Sequence, residues 1–414
     1  MNRHILLCLA LSVIIAAAPL STAPAQENQD FQKGYSLLKE GKYRESIEYF
    51  KKALQQREDP AIYLNIGSAH YALKEYEEAI AAYKKALAIR PDYRKARVGL
   101  AASYLAQGKD QEALKTYLEC VAQSEEDSQI YLTIASIYRS RGNLTAAKRA
   151  AENAILSSPQ NRDAQILLAS ILIESGEYQS ALRVIDDALS VSPLNERLYL
   201  LRSTCLAQLA RIDEAIDCCE LAIRLGAQEY SAFHTLSDLY AAEKMFREAA
   251  DNLEKSLKLR PGSQAELRKL TNYHILAEDY AKALEVIEKL INEDPQSSQN
   301  YLLLGDALSA QGDIEGALKA YDQSSRLDTS SPAAFVAAGN LYLTRGAYDK
   351  AEEEFRKALS RTPESTDIMH SLGNSLYRAG KYEEALKIFE KIISFDPTDS
   401  SARAIIDELS TRKK

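Results

Sequence analysis

Apolar and polar positions follow one another along this chain in a regular unit. In the stretch beginning at Pro60, PAIYLNIGSAHYALKEYEEAIAAYKKALAIRPDY, apolar side chains recur at helical spacing in two runs separated by a short break. Moving on by 34 residues returns the same pattern from 94, 128, 162, 196, 230, 264, 298, 332 and 366, with no insertion. A first copy, one residue shorter in phase, begins near Glu27, which makes eleven. Positions 4, 7, 8 and 11 of a copy keep the spacing of one helix face, as in Tyr131, Ile134, Ala135 and Tyr138. Positions 20, 24, 27 and 28 do the same, as in Ala79, Tyr83, Ala86 and Leu87. Each copy therefore predicts two helices, and Ser400 to Lys414 predicts one more.

Local punctuation agrees with this phase. Gly41, Gly108, Gly142, Gly176, Gly312, Gly346 and Gly380 fall at the break, where a left-handed residue ends the first helix at little cost. Pro91, Pro159, Pro193, Pro261, Pro295, Pro363 and Pro397 follow the second helix, where a missing N–H does no harm. Position 20 is alanine in ten copies and Ser46 in the first. Position 8 is always short, from Gly34 and Gly67 to Gly373, with Thr271 the bulkiest. Short side chains at 8 and 20 predict where the two helices of a copy come closest. Departures are few. Position 27 is Leu290 and Ile392 in two copies, where small residues are usual. Position 32 is Glu125, Ala227 and Thr329 rather than proline, with Gly226 before Ala227. The junctions after copies three, six and nine are expected to pack differently.

Small residues, alanine and proline at a 34-residue period, with aromatic positions between them, resemble the tetratricopeptide repeat. The likeness covers essentially all of the chain after its N-terminal segment. It implies an all-α fold: a right-handed superhelical solenoid of eleven helical hairpins over 26–399, closed by a capping helix at 400–414. A single hairpin cannot bury its apolar face, so neighbours must stack.

The resemblance also implies that first helices line a concave groove, in which positions 2, 5, 9, 12 and 13 contact extended peptides. Position 5 reads Leu64, Val98, Leu132, Ile166 and Leu200, then His234, Arg268, Leu302, Val336 and His370. Position 9 reads Ser68, Ala102, Ser136, Ser170 and Thr204, then Asp238, Asn272, Asp306, Asn340 and Asn374. The expected groove is apolar with small hydroxyls in its first half and carries a ladder of Asn and Asp in its second. Side-chain amides at a regular rise hydrogen-bond a peptide backbone without reading its sequence. Asparagine at position 9 also has a local, purely structural account. The apolar row fits an amphipathic or hydrophobic ligand segment, or else partial burial against the neighbouring first helix. A carboxylate clamp needs basic residues and Asn on three consecutive repeats; Arg268 and Asn272 match one part, but Leu303, Ala333 and Ala337 stand where the rest is required.

Composition narrows the function. The net charge of -8 argues against a nucleic-acid partner, because phosphate binding needs clustered Lys and Arg. The first residues read as an export signal: basic Arg3, an apolar run from Ile5 to Ala18, and Ala23-Pro24-Ala25 before a cut ahead of Gln26. The segment 1–25 is thus expected to be removed, leaving an exported chain, periplasmic or extracellular, with no membrane span; an uncleaved anchor is the alternative. Cys120, Cys205, Cys218 and Cys219 have no metal-site spacing and read as buried helix residues, with a bridge from Cys205 to Cys218 or Cys219 as the exception. No Ser-His-Asp, His-Glu-x-x-His or phosphate-cradling glycine pattern occurs, so neither catalysis, cofactor nor metal is expected. The expectation is an interaction scaffold for protein or peptide segments, set in bacterial envelope assembly or secretion. Two alternatives stand beside it: a self-associating structural solenoid, and a glycan or cell-wall binder, for which only Tyr71 and Tyr377, at position 12, supply groove aromatics.

Overall fold

The computed structural model describes residues 29–122 and 127–412; the export segment expected at 1–25 lies outside them. The described residues form 23 helices and no strand. They come in pairs at the expected phase, as Pro60–Ala72 with Tyr76–Ile89, and Ser298–Gln311 with Ile314–Leu327. The chain divides into two compact units, Met1–Gly226 and Ala227–Lys414. The first holds hairpins one to six. The second holds hairpins seven to eleven and the final helix Ser400–Arg412. Within each unit the helices of a hairpin pack on one another, and second helices pack on the first helix of the next repeat.

The break between helices uses one backbone conformation throughout. The seven glycines there all have positive φ, between 72° and 94°. The four repeats without glycine adopt it too, at Lys74, Ala210, Lys244 and Glu278, with φ of 57–62°. Such a backbone costs an L-residue about 1–2 kcal/mol, so packing of the two helices outweighs local preference at these sites. Several first helices, and the final helix, start on a side-chain cap. Asp59, Asp127, Asn161, Asn195 and Asp399 each accept a backbone N–H of the first turn at 2.8–3.1 Å.

The close approach of the two helices involves three positions, not two. Every alanine at position 20 is fully buried. Hydroxyls at position 8 reach it: Ser203 and Ser237 donate to the carbonyls of Ala215 and Ala249, each at 2.7 Å. The third partner is position 24. A Cβ on Gly34, Gly67, Gly305, Gly339 or Gly373 would lie 2.3–2.9 Å from the ring of Phe50, Tyr83, Tyr321, Phe355 or Phe389. Where position 24 shrinks to Ala151, Ile185, Cys219, Leu253 or Ile287, position 8 grows to Ala, Ser or Thr. The two positions share one volume in every repeat but the third, where Tyr117 and Ala101 are both buried. Tyr83 is held hardest, because Gly99 of the next repeat also meets its ring, 2.5 Å from a built Cβ.

Of the three junctions without proline, two depart from the ordinary exit and one keeps it. Second helices ordinarily exit through an extended residue, such as Arg90 or Asp396, whose N–H bonds the carbonyl of position 27. After repeat three the helix ends at Val121 and turns through helical Ala122 instead. After repeat six it ends on Gly226 at φ 120°, and this is where the two units divide. Repeat nine keeps the extended exit at Asp328, yet a cavity of about 180 Å³ lies beyond it beside Phe335 and Tyr342. Leu290 and Ile392, the larger residues at position 27, are fully buried without disturbing their helices.

Candidate functional site on the first-helix face

The row of position 5 does not form an open apolar surface in the first unit. Leu64, Val98, Leu132 and Ile166 are buried, and Leu200 is half-buried. Their neighbours at position 9 explain it. Ser68, Ala102 and Ser136 are small and themselves buried. The hydroxyls of Ser68, Ser170 and Thr204 are turned back onto the carbonyls of Leu64, Ile166 and Leu200 at 2.8–3.0 Å. Short side chains, three of them satisfied on their own helix, let successive first helices close over the row. Of the two accounts of these leucines, isoleucine and valine, burial is the one the structure shows.

The second unit differs. Asp238, Asn272, Asp306, Asn340 and Asn374 are all exposed. They are not equivalent. Asp238 accepts a hydrogen bond from Lys269 Nζ and lies 3.5 Å from His234 Nδ1. Asp306 accepts the phenol of Tyr321 at 2.9 Å. The side chains of Asn272, Asn340 and Asn374 take no hydrogen bond within the described residues. Half-buried Leu302 and Val336 flank them, and Leu276 beside Asn272 is 55 % exposed.

The basic members of the row are occupied. Arg268 donates to Asn300 Oδ1 at 2.9 Å, Gln264 Oε1 at 3.0 Å and Ser297 Oγ at 3.2 Å, which pins the next repeat's entry loop. His234 packs against Tyr230 with the rings tilted by 37° and their centroids 5.4 Å apart, and its Nε2 is 3.8 Å from Glu266. Glu266 is held below the usual carboxylate range, first by the Tyr230 phenol and then by the Ser263 backbone N–H. Burial would lower Lys269, but the Asp238 carboxylate holds its ammonium above the ordinary value. His370 bonds Asp399 at 2.7 Å, tying the last repeat to the final helix. The groove tyrosines are committed as well: Tyr71 is buried, and Tyr377 donates to Glu408 at 2.6 Å.

Other reactive types are inert in place. The four described cysteines are buried free thiols, so the bridge from Cys205 is not formed. Burial pushes Cys120, Cys205 and Cys219 up to about 11, away from thiolate. Among the described residues no group of His, Cys, Asp and Glu could hold a metal ion, and no helix is long and apolar enough to cross a membrane.

One of these groups carries a pH dependence. His274 is 2 % exposed, with Nε2 3.1 Å from Glu254, and burial lowers its pKa despite that carboxylate. The folded protein therefore favours neutral imidazole. As pH falls through the unfolded value near about 6.5, the unfolded chain takes a proton that the folded one refuses, and stability is lost. His274→Leu is expected to flatten the decline in urea midpoint between about pH 7.5 and 5.5. An unchanged decline in the variant would assign the effect to other groups.

Comparison with known proteins follows the same repeat. Family models described as tetratricopeptide repeat match residues 31–94, 272–332, 302–366 and 336–400, and also 70–137, 138–190 and 172–238. The mitochondrial import receptor subunit TOM70 of Saccharomyces cerevisiae is 30% identical over 77 residues, 19% of this chain and 12% of that protein. The photosystem I assembly protein Ycf3 of Cyanophora paradoxa is 29% identical over 101 residues, 23% of this chain and 58% of that protein. The matched part is thus less than two thirds of either relative. Among solved structures, the C-terminal part of a TPR repeat-containing protein from Cytophaga hutchinsonii aligns at TM-score 0.50 and 20% identity, covering 57% of this chain and 98% of that one.

Proposed function

The chain belongs to the tetratricopeptide-repeat family, and on that premise we propose that it is a non-enzymatic scaffold whose second unit holds an extended peptide segment of a protein partner. One observation carries the reading. Asn272, Asn340 and Asn374 project from three of four consecutive first helices, with Asp306 on the helix between the first two, and their amides are used by nothing else in the described chain. Each offers a donor and an acceptor, which is what an extended backbone requires. The half-buried Leu302 and Val336 between them would receive alternate apolar side chains. The curated relatives, an import receptor subunit and an assembly protein by name, support the same class of role. We propose a setting outside the cytoplasm, in bacterial envelope assembly or secretion, which the signal-like pattern of residues 1–25 supports.

The test replaces Asn272, Asn340 and Asn374 with alanine together. Each lost hydrogen bond is worth about 0.5–1.5 kcal/mol, so partner recovery in pull-downs from an envelope extract should fall at least about tenfold. The three side chains are exposed, so the melting curve should not move. Equal recovery of every partner by wild type and variant would end the reading.

A further inference from the structure

The exit after repeat three opens a second surface, away from the first-helix face. The second helix Asp110–Val121 ends early, and between it and the hairpin Ser128–Ser140 with Leu144–Ser157 lie two adjoining clefts of about 430 and 540 Å³. Leu118 lines both and is 41 % exposed, a large apolar side chain at the meeting of the two clefts. Tyr131 and Tyr138 continue the apolar floor. Lys115, Arg141 and Arg149 rim it without an ion-pair partner among the described residues, and Glu119, the one carboxylate in the described lining, faces Arg97 at 3.9 Å. The cavity after repeat nine shows the contrast: its Lys357 is already neutralised by Glu353 and Glu354, both at 2.8 Å.

We propose that this cleft docks an acidic amphipathic helix of a protein partner, with an apolar side chain seated on Leu118 and carboxylates over the three cations. Charge complementarity selects an acidic occupant. The walls select a helix. They are themselves helices whose backbone groups are already paired, so they offer an extended chain no hydrogen bonds, whereas a helix satisfies its own backbone. Apolar anchors at i, i+3 and i+4 then meet a trough between two helices, as helix-in-groove recognition requires. The surface is separate from the asparagine row and does not depend on it.

Fluorescence anisotropy of the full chain with two synthetic peptides tests this. One is an amphipathic leucine–glutamate helix; the other is its leucine–lysine counterpart. The glutamate peptide should bind at least about tenfold more tightly than the lysine one, more so at low salt. Leu118→Asp should weaken it about tenfold, as should Lys115→Glu combined with Arg149→Glu, whose exposed positions leave the fold intact. The asparagine triple variant should bind it as wild type does, which separates this site from the first-helix face. Equal binding of both peptides, or no loss in Leu118→Asp, overturns the proposal. So does a wild-type dimer in light scattering that Leu118→Asp splits, because the occupant would then be a second copy of this chain.

Discussion

Truncating Phe355 to alanine is expected to cost about 3–5 kcal/mol of unfolding free energy. The ring is fully buried and lies flush against the backbone of Gly339, where a built Cβ would stand 2.7 Å from it. No side chain exists at Gly339 to collapse into the space, so the cavity would persist and the cost should sit high in that range. Adding the methyl alone, Gly339→Ala, overpacks the same contact and should cost about 1–3 kcal/mol. The two effects are predicted to be coupled. Other repeats in this chain pair Ala169 with Ile185, both buried, at the same two positions. Gly339→Ala combined with Phe355→Ile reproduces that pairing, so the double variant should be more stable than the sum of its singles by roughly 1 kcal/mol. Urea unfolding of the four proteins measures it. Strict additivity would mean that positions 8 and 24 do not share a volume.

The second large effect concerns the end of the second unit. Leu409→Asp is expected to cost about 3 kcal/mol and to release the final helix. Leu409 and Ala402 are buried in a cluster with Phe389 and Ile392 of the last hairpin. Asp399 starts the helix by accepting the Ala402 N–H at 2.8 Å and meets His370 Nε2 at 2.7 Å. A carboxylate in place of Leu409 would have neither water nor partner in that cluster, so undocking is its cheapest escape. Undocking would uncover the apolar face that every other repeat hides against a neighbour. Amide exchange across 400–412 should rise to that of a frayed end, and light scattering should report self-association. Persistent protection of those amides in the variant would falsify a capping role for this helix.

Much of this molecule was legible from pattern alone, and particular residues show where legibility stopped. Gly41 and its six counterparts mark the left-handed break correctly, but Lys74, Ala210, Lys244 and Glu278 adopt the same backbone with no residue type to announce it. The missing prolines flagged the junctions after repeats three, six and nine. They did not say that one would divide two units, one would open clefts around Leu118, and one would keep an ordinary exit. Positions 8 and 20 pointed to a close approach, while the ring at position 24 that fills it emerged only from packing. In the groove, Leu64 and Leu302 read alike at position 5, yet one is buried and the other half-buried. Arg268 read as a groove residue matching one part of a carboxylate clamp, and its guanidinium braces the start of the next first helix at Ser297 and Asn300.

The division has a physical reason. Helix positions, caps, hairpin phase and repeat number depend on residues within a few turns of each other, so spacing along the chain carries them in full. Whether a groove side chain is open, and whether a cation is spent, depends on how near the next first helix comes. That distance is set jointly by the volumes at several positions of two repeats, and no single residue type encodes it. The sequence by itself determined an array of helical hairpins and the row in which asparagines stand. Only the tertiary structure decided that the row closes over in the first unit, that Asn272, Asn340 and Asn374 take no partner among the described residues in the second, and that Leu118 is 41 % exposed.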